Sequence, residues 1–253
     1  MVCLKQILDP ELPPREFRLE EGEMTPATEG VHLVMSPFDQ NGLEVGLQLR
    51  EKMPGTTVTA VTVGPEGAGD VLRKALAVKA DRAVRVPLEQ DCKLSGNIIA
   101  GMLAGAAREL GADMVICGRQ AGDWDGGQIG LILAEELGWP VANLVTGIEP
   151  GSGKLVLKCE LDEGYEVLEG NTPLVAVVTN HETNVPRIAK VKDTMAAMRK
   201  KLELIDIDPQ GNSLELASLE IPVKEVNCEI VPGEDGVEKA DNLIKRLSEL
   251  KVL

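Results

Sequence analysis

Apolar and polar positions along this chain follow two alternating rhythms. Short runs of β-branched and small residues end at glycine or proline. Between them lie longer stretches whose apolar positions return every three to four residues. That is the pattern of buried strands alternating with amphipathic helices. Residues 2–8 read as a first strand, 9–14 as a proline-rich loop and 16–23 as a polar excursion forming a hairpin arm. A second short strand follows at 31–35, and Ser36-Pro37 opens a turn into a helix over 39–52, with Leu43, Gly46, Leu47 and Leu49 facing inward. The run TTVTAVTV at 56–63 is the clearest strand, closed by Gly64-Pro65-Glu66-Gly67. A helix over 68–80, a strand over 82–86, a helix over 95–110 rich in small residues and a strand over 114–117 continue the alternation. The fold class expected is α/β: an open, doubly wound, mainly parallel sheet of Rossmann-like type, with right-handed crossovers.

After Pro140 the rhythm changes. Strands are expected at 144–148, 154–161 and 165–169, linked by the hairpin turns 150–153 and 162–164. This reads as a β-hairpin insertion. Residues 174–178 are a strongly apolar strand of central character, 180–192 a polar loop and 194–201 a short helix. Beyond 202 the core signal weakens to a strand-like patch at 204–207 and a terminal helix over 237–250, which suits an extension that packs on something else. No tandem repeat is visible.

Composition sharpens this picture. Aromatics make up only 2% of the 253 residues while apolar residues reach 43%, so the core must be built from Val, Leu, Ile and Ala. A net charge of −15 argues against nucleic-acid backbones and basic membrane-surface binding. No run of about 18 apolar residues exists, so no membrane span is expected. The N-terminus reads as a strand, not a signal peptide. Cysteines at 3, 92, 117, 159 and 228 are odd in number and far apart in sequence. A disulfide framework is therefore not expected, and a reducing compartment is: the cytoplasm, or the mitochondrial matrix in a eukaryote. With His32 and His181 the only histidines, a multi-histidine metal site is excluded within this chain.

Residues 113–140, DMVICGRQAGDWDGGQIGLILAEELGWP, carry most of the chemical information. A strand runs into Gly118, a turn rich in Gly and Asp follows, and a helix begins whose N-terminal amides lack intrahelical partners. Gly126 and Gly127 should bare backbone amides to a phosphate. Asp123 and Asp125 would repel one: Asp125 reads as the helix N-cap, and Asp123 either hydrogen-bonds a ribose hydroxyl or braces the loop. Gln128 can donate or accept a hydrogen bond. No nucleophile or base stands in a recognisable arrangement, so no catalytic residue is assigned and the loop reads as a binding site. A plain turn between strand and helix is the alternative.

Several motifs in order resemble the β subunit of electron-transfer flavoproteins, nearly end to end. Ser36-Pro37-Phe38-Asp39 is similar to that family's Asn/Ser-Pro-Phe segment at a helix start, and Val63-Gly64-Pro65 to its Gly-Pro turn. RKALAVKADR at 73–82 resembles its R-x-A-L-A-x-G-A-D-R stretch, with Lys79 in place of Gly. Gly118-Arg119-Gln120-Ala121 and Asp125-x-x-Gln128-x-Gly130 match its nucleotide loop, and Pro186-Arg187 precedes a basic helix as in its partner-recognition region.

The resemblance implies a heterodimer whose α subunit carries a catalytic FAD. This chain would bind a second adenine nucleotide, AMP in simple carriers or FAD in electron-bifurcating members that use NADH. Electrons would pass from acyl-CoA-type dehydrogenases, or another flavin or quinone oxidoreductase, to an acceptor. The chain would be a carrier, an oxidoreductase only if bifurcating. The cofactor residues implied are Cys3, Ser36, Pro37, Phe38, Asp39, Val63 and the loop Gly118, Arg119, Gln120, Ala121, Gly122, Asp123, Trp124, Asp125, Gly126, Gly127, Gln128, Ile129 and Gly130. At Cys3 and Val63 the contact would be main-chain, and Cys3 and Cys117 otherwise read as core thiols. Phe38 stands where the family places an aromatic near the partner's flavin, with core packing as the alternative.

The loop also departs from the family pattern. Trp124 replaces Asp or Gly and would shield a flavin or adenine or pack on the α subunit. Gly122 replaces Ile. Gly127, small where AMP-type members often carry Asn, favours FAD. Val191, Met195 and Met198 would form the dehydrogenase-docking anchor, beside the basic cluster Lys190, Lys192, Arg199, Lys200 and Lys201. The alternative for that helix is an amphipathic cover for the core. The implied domains are 1–192, binding nucleotide, and 193–253, a recognition helix and an arm on the α subunit. The rival reading is an ATP-binding α/β protein of the universal-stress or pyrophosphatase type, against which stands the absence of Ser or Thr in the loop.

Overall fold

Strand β1 (Val2–Cys3) sits inside a nine-stranded sheet, between β4 (Thr59–Gly64) and β6 (Met114–Gly118). Outward on one side follow β5 (Arg82–Pro87) and β11 (Glu203–Leu204); on the other follow β10 (Leu174–Val178), β7 (Val141–Pro150), β8 (Leu155–Leu161) and β9 (Gly164–Gly170). Pairing is parallel from β11 to β7 and antiparallel through β8 and β9. The order reverses at β1, which makes the carboxyl ends of β1 and β6 the switch point of the sheet. This computed structural model describes residues 1–20, 24–89, 95–210, 216–222 and 228–252; Cys92 lies outside them.

The chain divides into two units, Met1–Leu219 and Glu220–Leu253. In the first, helices α1 (Pro37–Lys52) and α2 (Gly69–Ala77) cover one face of the sheet. Helices α3 (Gly96–Glu109) and α4 (Ile129–Leu137) cover the other. Successive strand residues serve opposite layers: Ala60 belongs to the core layer of Leu47 and Leu72, Val61 to that of Met102 and Leu133. All six residues of β4 are buried, as its β-branched run implies for a strand covered on both faces. Gly46 and its apolar neighbours in α1 face inward as expected.

The first predicted strand is not one strand. The N–H of Leu4 still joins the ladder, donating to the Val61 carbonyl at 2.8 Å. The N–H of Lys5 leaves it and donates to the Asp39 carboxylate at 2.7 Å. Beyond that break β2 (Gln6–Leu8) pairs antiparallel with β3 (Leu33–Met35) in a separate two-stranded sheet. In the polar excursion Leu19 bridges Pro26; residues 21–23 of the expected hairpin arm lie outside the described residues.

Other boundaries moved for local reasons. Helix α2 stops at Ala77 because Lys79 turns left-handed at φ 81° and the Ala80 N–H reaches back to the Ala75 carbonyl at 2.9 Å. This is a Schellman ending, with lysine at the position that usually holds glycine. Helix α5 (Val191–Met198) begins three residues before the expected 194. The Lys190 carbonyl accepts the N–H groups of Asp193 and Thr194, Ala197 is buried, and Asp193 is paired with Lys79 at 2.6 Å.

In the second unit, α6 (Gly236–Glu249) is capped by Asp235, whose carboxylate accepts from the Val237 and Glu238 N–H groups at 2.9 Å. Its apolar Val237, Leu243 and Ile244 are exposed. Among the described residues no helix is long and apolar enough to cross a membrane.

Candidate functional site

A cavity of about 420 Å³ opens at the carboxyl ends of β1, β4 and β6. Such a crevice at the switch point is where open α/β sheets take ligands, and its volume lies in the range of small-molecule sites. Of the residues read from sequence, Cys3, Asp39, Val63, Gly118, Arg119, Gln120, Ala121, Trp124, Gly126, Gly127, Gln128 and Ile129 line it. Ser36, Pro37, Phe38, Gly122, Asp123, Asp125 and Gly130 do not.

The floor is built by a close approach that only glycine permits. A Cβ on Gly118 would lie 2.5 Å from Asp39 Oδ1 and 2.7 Å from the Phe38 carbonyl carbon. With no side chain there, the start of α1 settles against the end of β6. The Gly118 N–H then donates to Asp39 Oδ1 at 3.2 Å, while the Lys5 N–H donates to Oδ2. Burial drives the Asp39 carboxyl up to about 7, against the two backbone donors and the Lys5 charge. Beside it, Cys117 is buried, and the neighbouring Cys3 together with that burial holds its thiol well above the ordinary value. A thiol so raised is not a nucleophile at Cys117, and Cys3 is buried next to it.

Residues that miss the cavity shape its edge. Ser36 is fully buried at the N-cap of α1, followed by Pro37 at the first helical position. Phe38 carries the Arg119 guanidinium 4.7 Å above its ring. A Cβ on Gly122 would meet Ile7 and Pro37, and one on Gly130 would come within 2.5 Å of Val177 on β10. Gly130 thus serves the close packing of α4 on the sheet. Asp123 braces the loop, accepting from Lys5 Nζ at 2.7 Å and from the Trp124 N–H at 3.0 Å.

Asp125 is not the N-cap. It lies four residues before the helix at φ 49°, its N–H on the Ala121 carbonyl and its carboxylate on Gln120 Nε2 at 2.8 Å. That closed turn, continued by Gly127 at φ 62°, delays helical winding until Ile129 and leaves Gln128 as the cap.

The structure adds wall residues that sequence reasoning missed. Lys5 arrives from just beyond β1, Ser95 from the N-cap of α3, Gly96, Ile99 and Leu103 from its first turns, and Leu216 from the far end of the unit. A serine before a helix rich in small residues was a readable sign for Ser95; nothing in the sequence marked Lys5 or Leu216. Two helix starts, those of α3 and α4, therefore border one cavity, and helix starts favour anions. Ser95 Oγ and Arg119 Nε are buried without a hydrogen-bond partner among the described residues. Orphaned buried donors on a mostly apolar wall fit a ligand with one flat apolar part and one anionic part.

The sequence-predicted docking residues lie elsewhere. Val191, Met195 and Met198 project from α5 at helical spacing, 79%, 57% and 62% exposed. Residues 24–210 match the electron transfer flavoprotein domain family. The chain is 33% identical to an electron transfer flavoprotein subunit beta of Thermoanaerobacterium thermosaccharolyticum, over all of this chain and 99% of that protein. It is 30% identical to the human electron transfer flavoprotein subunit beta, over 99% of this chain and 96% of the human one. It is 29% identical to the caffeyl-CoA reductase-Etf complex subunit CarD of Acetobacterium woodii, over all of this chain and 99% of that protein.

Proposed function

This chain belongs to the electron transfer flavoprotein family, as a β subunit, and from that premise we propose that its cavity holds an adenine nucleotide, FAD or AMP, while an α subunit carries the catalytic FAD. One observation carries the reading. Segments far apart in sequence, the ends of β1, β4 and β6, the loop 118–128 and the start of α3, meet around one cavity with two unpartnered polar atoms. Gly127 adds no side chain to the wall, and Ile99, Ile129 and Leu216 extend its apolar part, which favours FAD over AMP.

When bound, a flavin supplies reversible one- and two-electron chemistry. This chain's residues do the holding: backbone amides of the glycine loop for the phosphate end, Val63 and Ile99 for a ring, Trp124 as a cover. The exposed anchor of Val191, Met195 and Met198, amid Lys190, Lys192, Arg199, Lys200 and Lys201, suits an acidic dehydrogenase surface. The Acetobacterium relative is named for a complex with a caffeyl-CoA reductase, which supports a CoA-thioester oxidoreductase as the partner. The exposed apolar residues of α6 suit an arm laid on the α subunit.

The test is to co-express the chain with its α subunit, purify the heterodimer, denature it and identify what is released. Two FAD per heterodimer supports the bifurcating form of the proposal; one FAD with one AMP supports a simple carrier. Release of no nucleotide beyond the α-subunit FAD, or ATP hydrolysis without flavin, overturns the reading.

A further inference from the structure

Lys5 and Asp123, 118 positions apart in sequence, meet at the rim of the cavity, with Nζ 2.7 Å from Oδ2. Lys5 lines the cavity and Asp123 does not. The backbone of Lys5 is fixed by Asp39, so only its side chain can move. Asp123 belongs to the loop whose Gly118, Arg119, Gln120, Ala121 and Trp124 line the cavity. The carboxylate thus offers the Lys5 ammonium the kind of oxygen anion that a nucleotide phosphate would offer. The other cation on the wall, Arg119, lies over the Phe38 ring, holds Thr179 Oγ1 only distantly, at 3.5 Å, and keeps an Nε without a partner among the described residues, so it is a second donor for the same anion. Asp39 adds a carboxyl to the same wall, so a mobile cation favours an entering phosphate.

Building on the nucleotide reading above, we infer that Lys5 is a phosphate-binding residue of this cavity and that Asp123 is its internal competitor. On nucleotide entry the ammonium exchanges Asp123 for a phosphate oxygen, which makes the ion pair a tuner of affinity for the phosphate end of the ligand. A plain latch, in which the pair only holds the loop shut, predicts something different. Loss of either partner would then loosen the loop and weaken every ligand alike.

The two are separated by titrating AMP and adenosine into the α/β heterodimer freed of its β-site nucleotide. Lys5→Gln should weaken AMP by roughly tenfold or more, the worth of a charge-assisted hydrogen bond, and leave adenosine unchanged. Lys5→Arg should restore most of the loss. Asp123→Asn should tighten AMP by roughly two- to fivefold, on the scale of an exposed ion pair, and lose that gain when combined with Lys5→Gln. AMP and adenosine weakened together by both substitutions, or AMP binding indifferent to Lys5, overturns the inference while leaving the nucleotide site standing. An unaltered heterodimer that binds neither AMP nor adenosine overturns the site and the inference together.

Discussion

Arg187 grips Glu44 from 143 positions away, with Nε on Oε2 at 2.8 Å and Nη2 on Oε1 at 2.9 Å, and its Nη1 reaches Glu51 at 2.6 Å. Glu44 is buried in the middle of α1, and burial alone would raise its carboxyl. The hydrogen bonds and charge of Arg187 outweigh that and hold it below its ordinary value. The pair fastens the segment leading into α5 to the helix whose first turn forms the cavity floor. Arg187→Ala strands a buried carboxylate and should cost about 3 kcal/mol of stability. Arg187→Lys keeps the charge but not the fork, and should cost less. Urea unfolding at neutral pH measures both. Because the Glu44 value is depressed, the pair's contribution is present above about pH 5 and lost as pH falls through the native value. The cost of Arg187→Ala should therefore shrink in acid.

Asp39 gives the opposite sign. Its native value near 7 stands above the ordinary 3.8, so the folded state keeps a proton that the unfolded chain releases. Its contribution is favourable in acid and is lost as pH rises between about 4 and 7. Asp39→Asn should remove that decline. The stability difference between the two proteins, followed by denaturant titration across this window, should therefore change steadily with pH and level off above it. A difference that does not vary with pH would contradict the assignment.

Lys79 pays for a left-handed turn that its side chain does not favour. Lys79→Gly relieves a strain of about 1 kcal/mol. It also removes the ion pair to Asp193, whose lysine is 59% exposed and so contributes little. The turn should win, and the melting temperature should rise. A lower melting temperature would mean that the pairing of α2 with α5 leans on Lys79 more than its exposure suggests.

Trp124, 46% exposed on the cavity wall, is a built-in reporter. In a Trp139→Phe background it is the remaining tryptophan, because the chain has only two. Binding of AMP or FAD to the heterodimer should shift or quench its emission, and Trp124→Ala should weaken binding by roughly tenfold if the ring stacks on the ligand. Emission unmoved at saturating nucleotide would place Trp124 outside the site.

The sequence by itself determined the layers. The β-branched run at 56–63 reads as a buried strand and is one from Thr59 on, and the periodic apolar stretches around it read as its covering helices, because local propensity and burial pattern agree there. The glycine-rich loop after β6 and its place beside a helix start were equally plain, because turn chemistry is local. Only the tertiary structure decided where the first strand breaks, since the Lys5 N–H leaves its ladder for a carboxylate that sequence cannot place beside it. The same holds for Asp125, drawn into a turn with Gln120 instead of capping α4. It holds again for the cavity wall itself, where Lys5 and Leu216 arrive through packing of distant segments and leave no periodic or local trace.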